Sequence, residues 1–277
     1  MSHARLLQER AFHDSQADAR AKAMLPADYL VDDDAYLSHE SWIAPAFAAL
    51  GDVNGLRVLD LGCGHGMASV VLARRGACVT ACDLSLGYVR EAGVRARANG
   101  VQFGRVVCDG EALPFGDGSF DRVWANAVLH HLDIERAGRE LNRILAPGGV
   151  AVFCEPWAGN RALNWARTML PYPGKHRTID ETPLQSCDLI KLRRHFADMS
   201  ATGYQLVSML SRVVRAPAVK QALARCDDWI LQAAPRWQRY CRYVVIVARK
   251  SLTLARVLLS AKPQAAIQGF AMERGVQ

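Results

Sequence analysis

Short, almost continuously apolar runs alternate with stretches of helical character between residues 56 and 154, and this alternation constrains the fold more than any other feature. Apolar runs without an in-and-out pattern are typical of strands that are buried on both faces. Strands that alternate with helices form a parallel sheet with helices on both faces, which is an α/β fold. The predicted strands of this region are Leu56–Leu61, Cys78–Cys82, Val101–Cys108, Phe120–Ala125 and Val150–Cys154.

The helices predicted between these strands are bounded by residues that start or stop helices. Met67–Arg75 follows a glycine-rich turn, and Leu86–Asn99 is closed by the glycine that comes next. Asp133–Leu145 is stopped at Pro147 and the two glycines after it, because proline cannot continue a helix and glycine favours its end. Each helix therefore connects two strands, as a parallel sheet requires.

The alternation breaks after Glu155. Residues 157–186 contain prolines and little periodicity, so we expect a long insertion of the kind that is commonly functional. The chain is predicted to fall into an N-terminal helical segment at 1–55, one domain at 56–250 and a loosely attached tail at 251–277. The elements predicted to complete the sheet are a helix at Asp188–Asp198, a strand at Tyr204–Met209, a helix at Ala218–Ala233 and a strand at Tyr240–Ala248.

Composition excludes several classes of protein. No run reaches the roughly 18 apolar residues of a membrane span. The first residues lack the basic-then-apolar order of a signal peptide, so we expect a cytoplasmic protein. The eight cysteines include no CxxC pair and no zinc-finger spacing, so we expect reduced core cysteines and no metal site.

Positive charge is concentrated in the C-terminal part of the chain. Residues 156–277 contain 19 basic and 7 acidic residues, a net charge of +12, whereas the whole chain has +7. Such an excess is consistent with an anionic substrate, an acidic partner or an anionic membrane surface. A solvated basic face is the simpler interpretation, and we prefer it.

The strongest candidate site is the stretch from Val58 to Gly66, in which an apolar strand ends in a GxGxG turn and a helix follows at once. Glycines let backbone approach a ligand closely, and a helix N-terminus offers unpaired N–H groups. This spacing differs from the GxGxxG of dinucleotide-binding enzymes, which disfavours an NAD-dependent dehydrogenase. Asp60, at the end of the strand, suits an ammonium group better than a pyrophosphate.

Two further acidic residues follow the next strands. Asp83 ends the second strand, 21 residues after Gly62, where a carboxylate can accept hydrogen bonds from both hydroxyls of a ribose. Asp109 follows the third strand and can accept from an adenine amino group. Two more motifs complete the series, one running from Phe120 to Leu132 and the other from Leu145 to Phe153.

Together these five ordered motifs, over roughly residues 56–157, resemble the class I S-adenosylmethionine-dependent methyltransferases, especially bacterial enzymes that act on small molecules. The resemblance implies a Rossmann-like, mostly parallel sheet of seven strands, with the last strand antiparallel. It implies S-adenosyl-L-methionine as the cofactor, with Gly62 and Gly64 around its methionine part and Asp60 near its amino group. Asp83 would bind the ribose, and Leu84 would lie against the adenine.

The resemblance extends to the residues after the third and fourth strands. Asp109 and the backbone of Gly110 and Glu111 would read the adenine edge. Asn126 would contact the methionine moiety through its backbone.

The stretch from Glu9 to Asp14, with Arg20, resembles the leading helix that closes over the cofactor in many of these enzymes, which makes 1–55 a candidate lid. An ordinary amphipathic surface helix is the alternative interpretation.

Methyl transfer needs a general base only where the acceptor must lose a proton. The catalytic candidates are His131 beyond the fourth strand, Glu155 at the end of the fifth and His13 on the candidate lid. Each has a structural alternative: packing for the histidines, and capping of the following turn for Glu155. His65 is interpreted as a spacer within the glycine turn.

Aromatic residues of the insertion are candidates for a wall of the acceptor pocket. They also suit a role in anchoring the loop, and the sequence leaves both interpretations open. They are Trp157, Trp165 and Tyr172, and His176 lies in the same insertion.

The predicted function is methyl transfer to a small-molecule acceptor. The alternative is an enzyme that acts on a lipid or isoprenoid head group at a membrane surface, with the basic segment as its foothold. A nucleic-acid methyltransferase is disfavoured, because Asn126-Ala-Val-Leu replaces the Pro-Pro-aromatic motif of amino-group DNA methylation. A non-catalytic binding domain is the remaining rival, and the intact cofactor motifs argue against it.

Overall fold

A single seven-stranded sheet organises the computed structural model, which describes residues 3–169, 182–214 and 216–252. The strand order is β3-β2-β1-β4-β5-β7-β6, and β7 is antiparallel to both of its neighbours. The Rossmann-like fold class and the antiparallel final strand are therefore confirmed. The strands are β1 Arg57–Leu61, β2 Cys78–Asp83, β3 Gly104–Val107, β4 Phe120–Asn126, β5 Leu145–Pro156, β6 Asp198–Tyr204 and β7 Tyr243–Arg249.

Helices cover both faces of this sheet. Three short 3₁₀ segments follow strands β4, β6 and helix α9, and one precedes α2. The helices of the described residues are α1 His3–Ala23, α2 Asp33–Ser38, α3 Ile43–Leu50, α4 Met67–Arg74, α5 Leu86–Ala98, α6 Ile134–Ile144, α7 Arg161–Met169, α8 Ser186–Arg193 and α9 Pro217–Ala233.

The two large hydrophobic clusters lie on opposite faces of the central strands. Leu59 and Phe153 pack on the face covered by α6 and α8, whereas Val58 and Trp124 pack on the face covered by α3 and α4. Neighbouring residues of one strand thus enter different clusters, because successive side chains of a strand point to opposite faces. This burial on both faces explains the continuous apolar runs.

Part of the N-terminal segment belongs to the core. Helix α3, predicted within the helical segment at 1–55, buries Ile43, Phe47 and Leu50 against the sheet. Helix α1 instead packs on α5. A lid within residues 1–55 thus stays a proposal for α1, because α3 is part of the core.

Several elements differ in their bounds from the sequence prediction. The helix predicted at Asp188–Asp198 runs from Ser186 to Arg193, and Asp198 is already the first residue of β6. The helix predicted to end at Leu145 ends at Ile144, because Leu145 already pairs with Phe120 as the first residue of β5. The strand predicted at Tyr204–Met209 is wrong, since β6 runs from Asp198 to Tyr204 and a 3₁₀ turn follows. As an edge strand, β6 has one neighbour and buries few side chains, so it lacks the apolar pattern that marks the central strands.

Within the described ranges, every helix is too short or too polar to cross a bilayer. The proposed tail at 251–277 lies outside the described residues from 253 onward.

Candidate active site

Two cavities, of about 260 and 570 Å³, open at the carboxyl ends of β1, β2 and β4 and meet at the glycine turn. The strand order reverses between β1 and β4, and this switch point is where open α/β sheets bind ligands. Gly62, Gly64 and His65 line both cavities. The first cavity, named the upper cavity here, extends over β2 and β3 beneath α1. The second, the lower cavity, extends toward α2 and α4.

The glycine turn has a backbone that other residues tolerate poorly. Gly62 and Gly64 have φ of +63° and +48°, in the left-handed region. A Cβ on Gly62 would also lie 2.3 Å from Cγ2 of Val128, so the approach of the β4 loop requires glycine there. A Cβ on Gly64 would meet open space, which shows that its demand is conformational only.

Asp83 lines the upper cavity, and each of its carboxylate oxygens accepts a hydrogen bond from a backbone N–H group. Oδ2 accepts from the N–H of Gly64 and Oδ1 from the N–H of Ser85, each at 2.9 Å. A carboxylate oxygen has two lone pairs, so each oxygen can accept one more hydrogen bond from a ligand. Burial raises the pKa of Asp83, and these two N–H donors and nearby His13 oppose that shift. The carboxyl group is therefore fixed in direction while keeping two acceptor positions.

Leu84, Asp109 and Gly110 continue the wall of the upper cavity. Gly110 allows a close approach of Leu132, whose Cδ1 would lie 2.9 Å from a Cβ at that position. Two leucines and an aspartate thus form a slot that is apolar on its faces and has a hydrogen-bond acceptor, Asp109, at its edge.

Glu111 uses its side chain and its backbone N–H within the protein, and a contact of its backbone with the adenine edge stays a prediction. Its N–H donates to Oδ1 of Asp109 at 2.8 Å. Its side chain is buried and accepts from the N–H of Asp133 at 2.8 Å, immediately before α6. Glu111 therefore ties the third motif to the start of α6, and it lines neither cavity.

Asp60 and Asn126 meet at the lower cavity. Asp60 is buried and accepts from the hydroxyl of Ser69 at 2.5 Å; burial, opposed by this hydrogen bond, raises its pKa to about 7. The side-chain Oδ1 of Asn126 is buried without a hydrogen-bond partner among the described residues. A buried carboxyl and an unsatisfied amide oxygen suit a cationic donor such as an ammonium group.

The loop after β4 has a strained backbone and is hydrogen-bonded to the buried side chain of Glu155. Ala127 has φ of +60°, an uncommon conformation for a residue with a Cβ that is found most often at functional sites. Glu155 is fully buried and accepts from the N–H groups of Val128 and Leu129, at 2.9 and 2.8 Å. The Nδ1 atom of His130 lies 2.7 Å from its other oxygen.

These contacts favour the turn-holding interpretation of Glu155, and a catalytic role for it stays an untested prediction. Its carboxylate oxygens are used by the loop, and it is absent from the described lining of both cavities. The alternative interpretation, in which this carboxylate accepts hydrogen bonds from a neighbouring turn, agrees with its bonds to Val128 and Leu129.

His131 and His13, the two histidine candidates, face each other in the upper cavity, with ring centroids 5.8 Å apart. Glu9 lies between them: its Oε2 is 3.5 Å from Nε2 of His13 and 3.7 Å from Nδ1 of His131. Glu9 was part of the lid motif in the sequence but was not predicted as a functional residue. Its partner His131, in the loop after β4, is more than 100 residues away, so no sequence spacing could signal the cluster.

His65, predicted to be a spacer within the glycine turn, also contributes its side chain to the cavities. It lines both cavities, and its buried Nδ1 has no hydrogen-bond partner among the described residues. Burial and the charges of Arg20 and Arg95 lower its pKa to about 4. The imidazole is therefore neutral near pH 7 and can offer a neutral donor or acceptor where the cavities meet.

Only part of the insertion at 157–186 is described. Trp157 is buried, and its Nε1 donates to the carbonyl of Arg239 at 2.9 Å, which makes it an anchor. Trp165, on α7, is 62% exposed. Tyr172 and His176 lie outside the described residues.

Comparison with known proteins points to one family. Residues 59–153 match the family described as "Methyltransferase domain". A demethylmenaquinone methyltransferase of Thermobifida fusca is 40% identical over 117 residues, which cover 41% of this chain and 49% of that protein. A malonyl-[acyl-carrier protein] O-methyltransferase of Pseudescherichia vulneris is 41% identical over 107 residues, which cover 38% of this chain and 41% of that protein.

The chain thus spans about half the length of the curated relatives it matches. Among solved structures, geranyl diphosphate C-methyltransferase from Streptomyces coelicolor A3(2) superposes with a TM-score of 0.52. That match has 17% identity and covers 76% of this chain and 79% of that chain, so it shows a common fold.

Proposed function

We propose that this chain, whose central domain belongs to the class I S-adenosylmethionine-dependent methyltransferases, transfers a methyl group to a small-molecule acceptor. S-adenosylmethionine supplies an electrophilic methyl group on a sulfonium sulfur. The protein must bind it, align the acceptor and exclude water.

The polar and apolar groups that line the two cavities match the chemical groups of S-adenosylmethionine. The observation that carries the proposal is Asp83, whose carboxylate is held by Gly64 and Ser85 with two acceptor positions left toward the upper cavity. A pair of ribose hydroxyls is the donor set that such a carboxylate matches. We assign the slot formed by Leu84, Leu132 and Asp109 to the adenine.

The lower cavity suits the opposite end of the cofactor. The carboxyl group of Asp60 and the unsatisfied Oδ1 of Asn126 are acceptors for an ammonium group. The glycine turn between the two cavities lets the ligand pass close to backbone, which supports roles for Gly62 and Gly64 around the methionine part.

The acceptor is proposed to approach from the side of α1 and the loop after β4. Glu9, His13 and His131 line the upper cavity there, and Leu6 adds an apolar wall that helps to exclude water. His131 is our candidate general base for an acceptor that must lose a proton. We propose that the insertion at 157–186 shapes acceptor choice, because loops at the carboxyl ends of strands build substrate sites.

The relatives named above act, by name, on demethylmenaquinone and on malonyl-[acyl-carrier protein]. These names support an organic acceptor over nucleic acid. The alternative, a lipid or isoprenoid head group at a membrane surface, stays the second candidate and is not favoured, because the names include a carrier-bound malonyl group as well as a quinone.

The test is transfer of an isotopically labelled methyl group. The full chain is incubated with S-adenosylmethionine that carries a deuterated methyl group and with small-molecule fractions of a cell extract. We expect labelled products in mass spectra that are missing with Asp83→Ala. Label in no product, together with no conversion of the cofactor in any fraction, contradicts the proposal.

A further inference from the structure

Glu9 and His13 of α1 and His131 of the β4 loop converge at one point in the upper cavity. One ligand atom from each, a carboxylate oxygen and two imidazole nitrogens, lies within 4.8 Å of the other two. The separations from Oε2 of Glu9 are 3.5 Å to His13 and 3.7 Å to His131, longer than the usual 2.7–3.2 Å of an N–H···O hydrogen bond. The three atoms are therefore spaced around a common centre.

This spacing is close to that of a coordination shell. Ligand atoms about 2.0–2.2 Å from an ion in tetrahedral arrangement lie about 3.3–3.6 Å from each other. The two separations from Glu9 are within a few tenths of an ångström of that range. Glu9 and His13 are four residues apart on α1, so the helix presents both side chains on the same face.

We infer that Glu9, His13 and His131 bind one divalent transition-metal ion in the upper cavity. Two imidazoles and one carboxylate favour zinc, manganese, iron(II) or cobalt, whereas magnesium and calcium prefer oxygen ligands alone. Three protein ligands leave at least one coordination position for another molecule, as in catalytic rather than structural metal sites.

The three ligands and Asp83 line the same cavity. Glu9 is buried, with 4% of its surface exposed, whereas His13 and His131 are half-buried. A molecule in the cavity can therefore reach the ion without displacing a protein ligand. The half-buried carboxyl group of Asp83, in the same cavity, adds negative charge to the surroundings of the cation.

The site narrows the class of acceptor, and this step depends on the proposed function. A divalent ion binds phenol, enol or carboxylate oxygens and makes a hydroxyl that binds to it more acidic. An imidazole that binds the ion cannot also take this proton, so on this route His131 acts as a ligand and not as the general base named above. The hydroxyl proton leaves to solvent, the oxygen forms a bond to the methyl carbon, and the bond from that carbon to sulfur breaks. The products are the methylated acceptor, S-adenosylhomocysteine and one proton. We therefore expect an oxygen acceptor that can bind a metal ion.

The first experiment measures metal binding directly, with the full chain, any histidine tag removed and the sample stripped with a chelator. Zn²⁺ and Co²⁺ are titrated by calorimetry, and the visible spectrum of the Co²⁺ form reports its coordination. We expect one equivalent of each ion to bind. Zn²⁺ affinity should fall about 100-fold or more in His131→Ala and Glu9→Gln, because even groups that only orient a metal ligand are worth about 10–100-fold.

His195→Ala is the matched control, since His195 pairs with Glu135 on α6 and lies outside both cavities. It should bind Zn²⁺ like the parent chain. Thermal unfolding of each variant separates loss of a ligand from loss of the fold, and Glu9→Gln keeps the size of the side chain it replaces. Absence of Zn²⁺ and Co²⁺ binding by the folded parent, or equal affinity of the parent and both site variants, overturns the inference.

S-adenosylhomocysteine is titrated into the same samples to separate the two proposals. If it binds and the metal ions do not, the metal site is wrong and the proposed function stands. If the metal ions bind as described and S-adenosylhomocysteine does not, the proposed function fails while the site is supported.

Discussion

Two carboxyl groups near the ends of neighbouring strands, the buried Asp60 and the half-buried Asp83, have different hydrogen-bond donors. Asp83 accepts from the backbone N–H groups of Gly64 and Ser85, whereas Asp60 accepts from Ser69. Burial raises the pKa of both, and that of Asp60 rises to about 7. Without a cationic partner, Asp60 is therefore partly protonated near neutral pH, whereas a bound ammonium group would favour its ionised form.

This difference predicts a pH dependence of stability. The folded pKa of Asp60 lies above the unfolded value of about 3.9, so the folded state binds the proton more tightly and stability falls as pH rises from about 4 to 7. The difference between this folded pKa of about 7 and the unfolded value corresponds to roughly 4 kcal/mol of stability. Asp60→Asn, which cannot ionise and can still accept from Ser69, should lose less stability between pH 5 and pH 8 than the parent. Urea unfolding at the two pH values measures this, and identical pH dependence in both proteins would show that Asp60 is ionised throughout.

Variants of Asp83 and Glu111 should have different effects, one on ligand affinity and the other on the stability of the fold. Asp83→Ala removes a carboxylate assigned to two hydroxyls and should weaken S-adenosylhomocysteine binding by about 2–4 kcal/mol. Glu111→Ala removes the acceptor of the Asp133 N–H and should lower stability by about 1–3 kcal/mol, with little change in affinity. Calorimetric titration and urea unfolding of both variants measure the contrast. Equal affinities of Asp83→Ala and the parent refute the ribose assignment.

At the scale of elements, the loop after β4 depends on the end of β5. The strained Ala127 is followed by two N–H groups and an imidazole that converge on Glu155. Because His131 lies in the same loop, Glu155 positions one face of the upper cavity without lining it.

Glu155→Ala should therefore cost more stability than an exposed carboxylate does. The change leaves two buried N–H groups without their acceptor, a loss of about 3 kcal/mol or more. Glu135→Ala, which removes the carboxylate paired with His195, is the control and should cost less than about 1 kcal/mol. Urea unfolding compares them, and a loss at Glu155 no larger than at Glu135 contradicts the positioning role.

Asp14 of helix α1 binds the start of helix α5. Asp14 accepts from the hydroxyl of Ser85 at 2.5 Å and from the N–H of Gly87 at 3.0 Å, at the start of α5. If α1 is the lid, Asp14→Ala should speed dissociation of S-adenosylhomocysteine and raise hydrogen exchange in α1. Asp18→Ala, an exposed position on the same helix, should change neither. Stopped-flow and exchange measurements decide this, and unchanged rates in Asp14→Ala would make α1 an ordinary surface helix.

The central strands were predictable because their burial on both faces leaves a pattern in the sequence, as in β1 and β4. Strand β6 and the end of α6 were not, since an edge strand buries few residues and the pairing of Leu145 with Phe120 depends on tertiary contact. Part of the site was predictable for a similar reason. Asp60 and Asp83 lie at or next to the last residue of their strands, and the carboxyl ends of parallel strands form the cavities.

The rest of the site depends on contacts between distant parts of the chain. Glu155 looked like a base because it ends a strand, but its orientation is set by the loop after β4, 26 or 27 residues earlier. Glu9 and His131 meet because α1 folds back over the upper cavity. No local pattern carries that information.

At the scale of the whole molecule, the sheet places every proposed cofactor contact on one edge. The two cavities share the glycine turn, and α1 covers the upper cavity. Helix α3 packs on the sheet whose strand ends form both cavities. Ligand binding should therefore stabilise the whole fold, because a ligand that binds only the native state shifts the folding equilibrium.

Calorimetric titration of the full chain with S-adenosylhomocysteine tests the central claim most directly, with NADH as the competing ligand and thermal unfolding as a second readout. We predict one binding site for S-adenosylhomocysteine and none for NADH. At a ligand concentration about 100-fold above the dissociation constant, the gain in unfolding free energy should be about 2.7 kcal/mol. Binding of NADH, with no heat and no thermal shift from either S-adenosylmethionine or S-adenosylhomocysteine, would contradict the account.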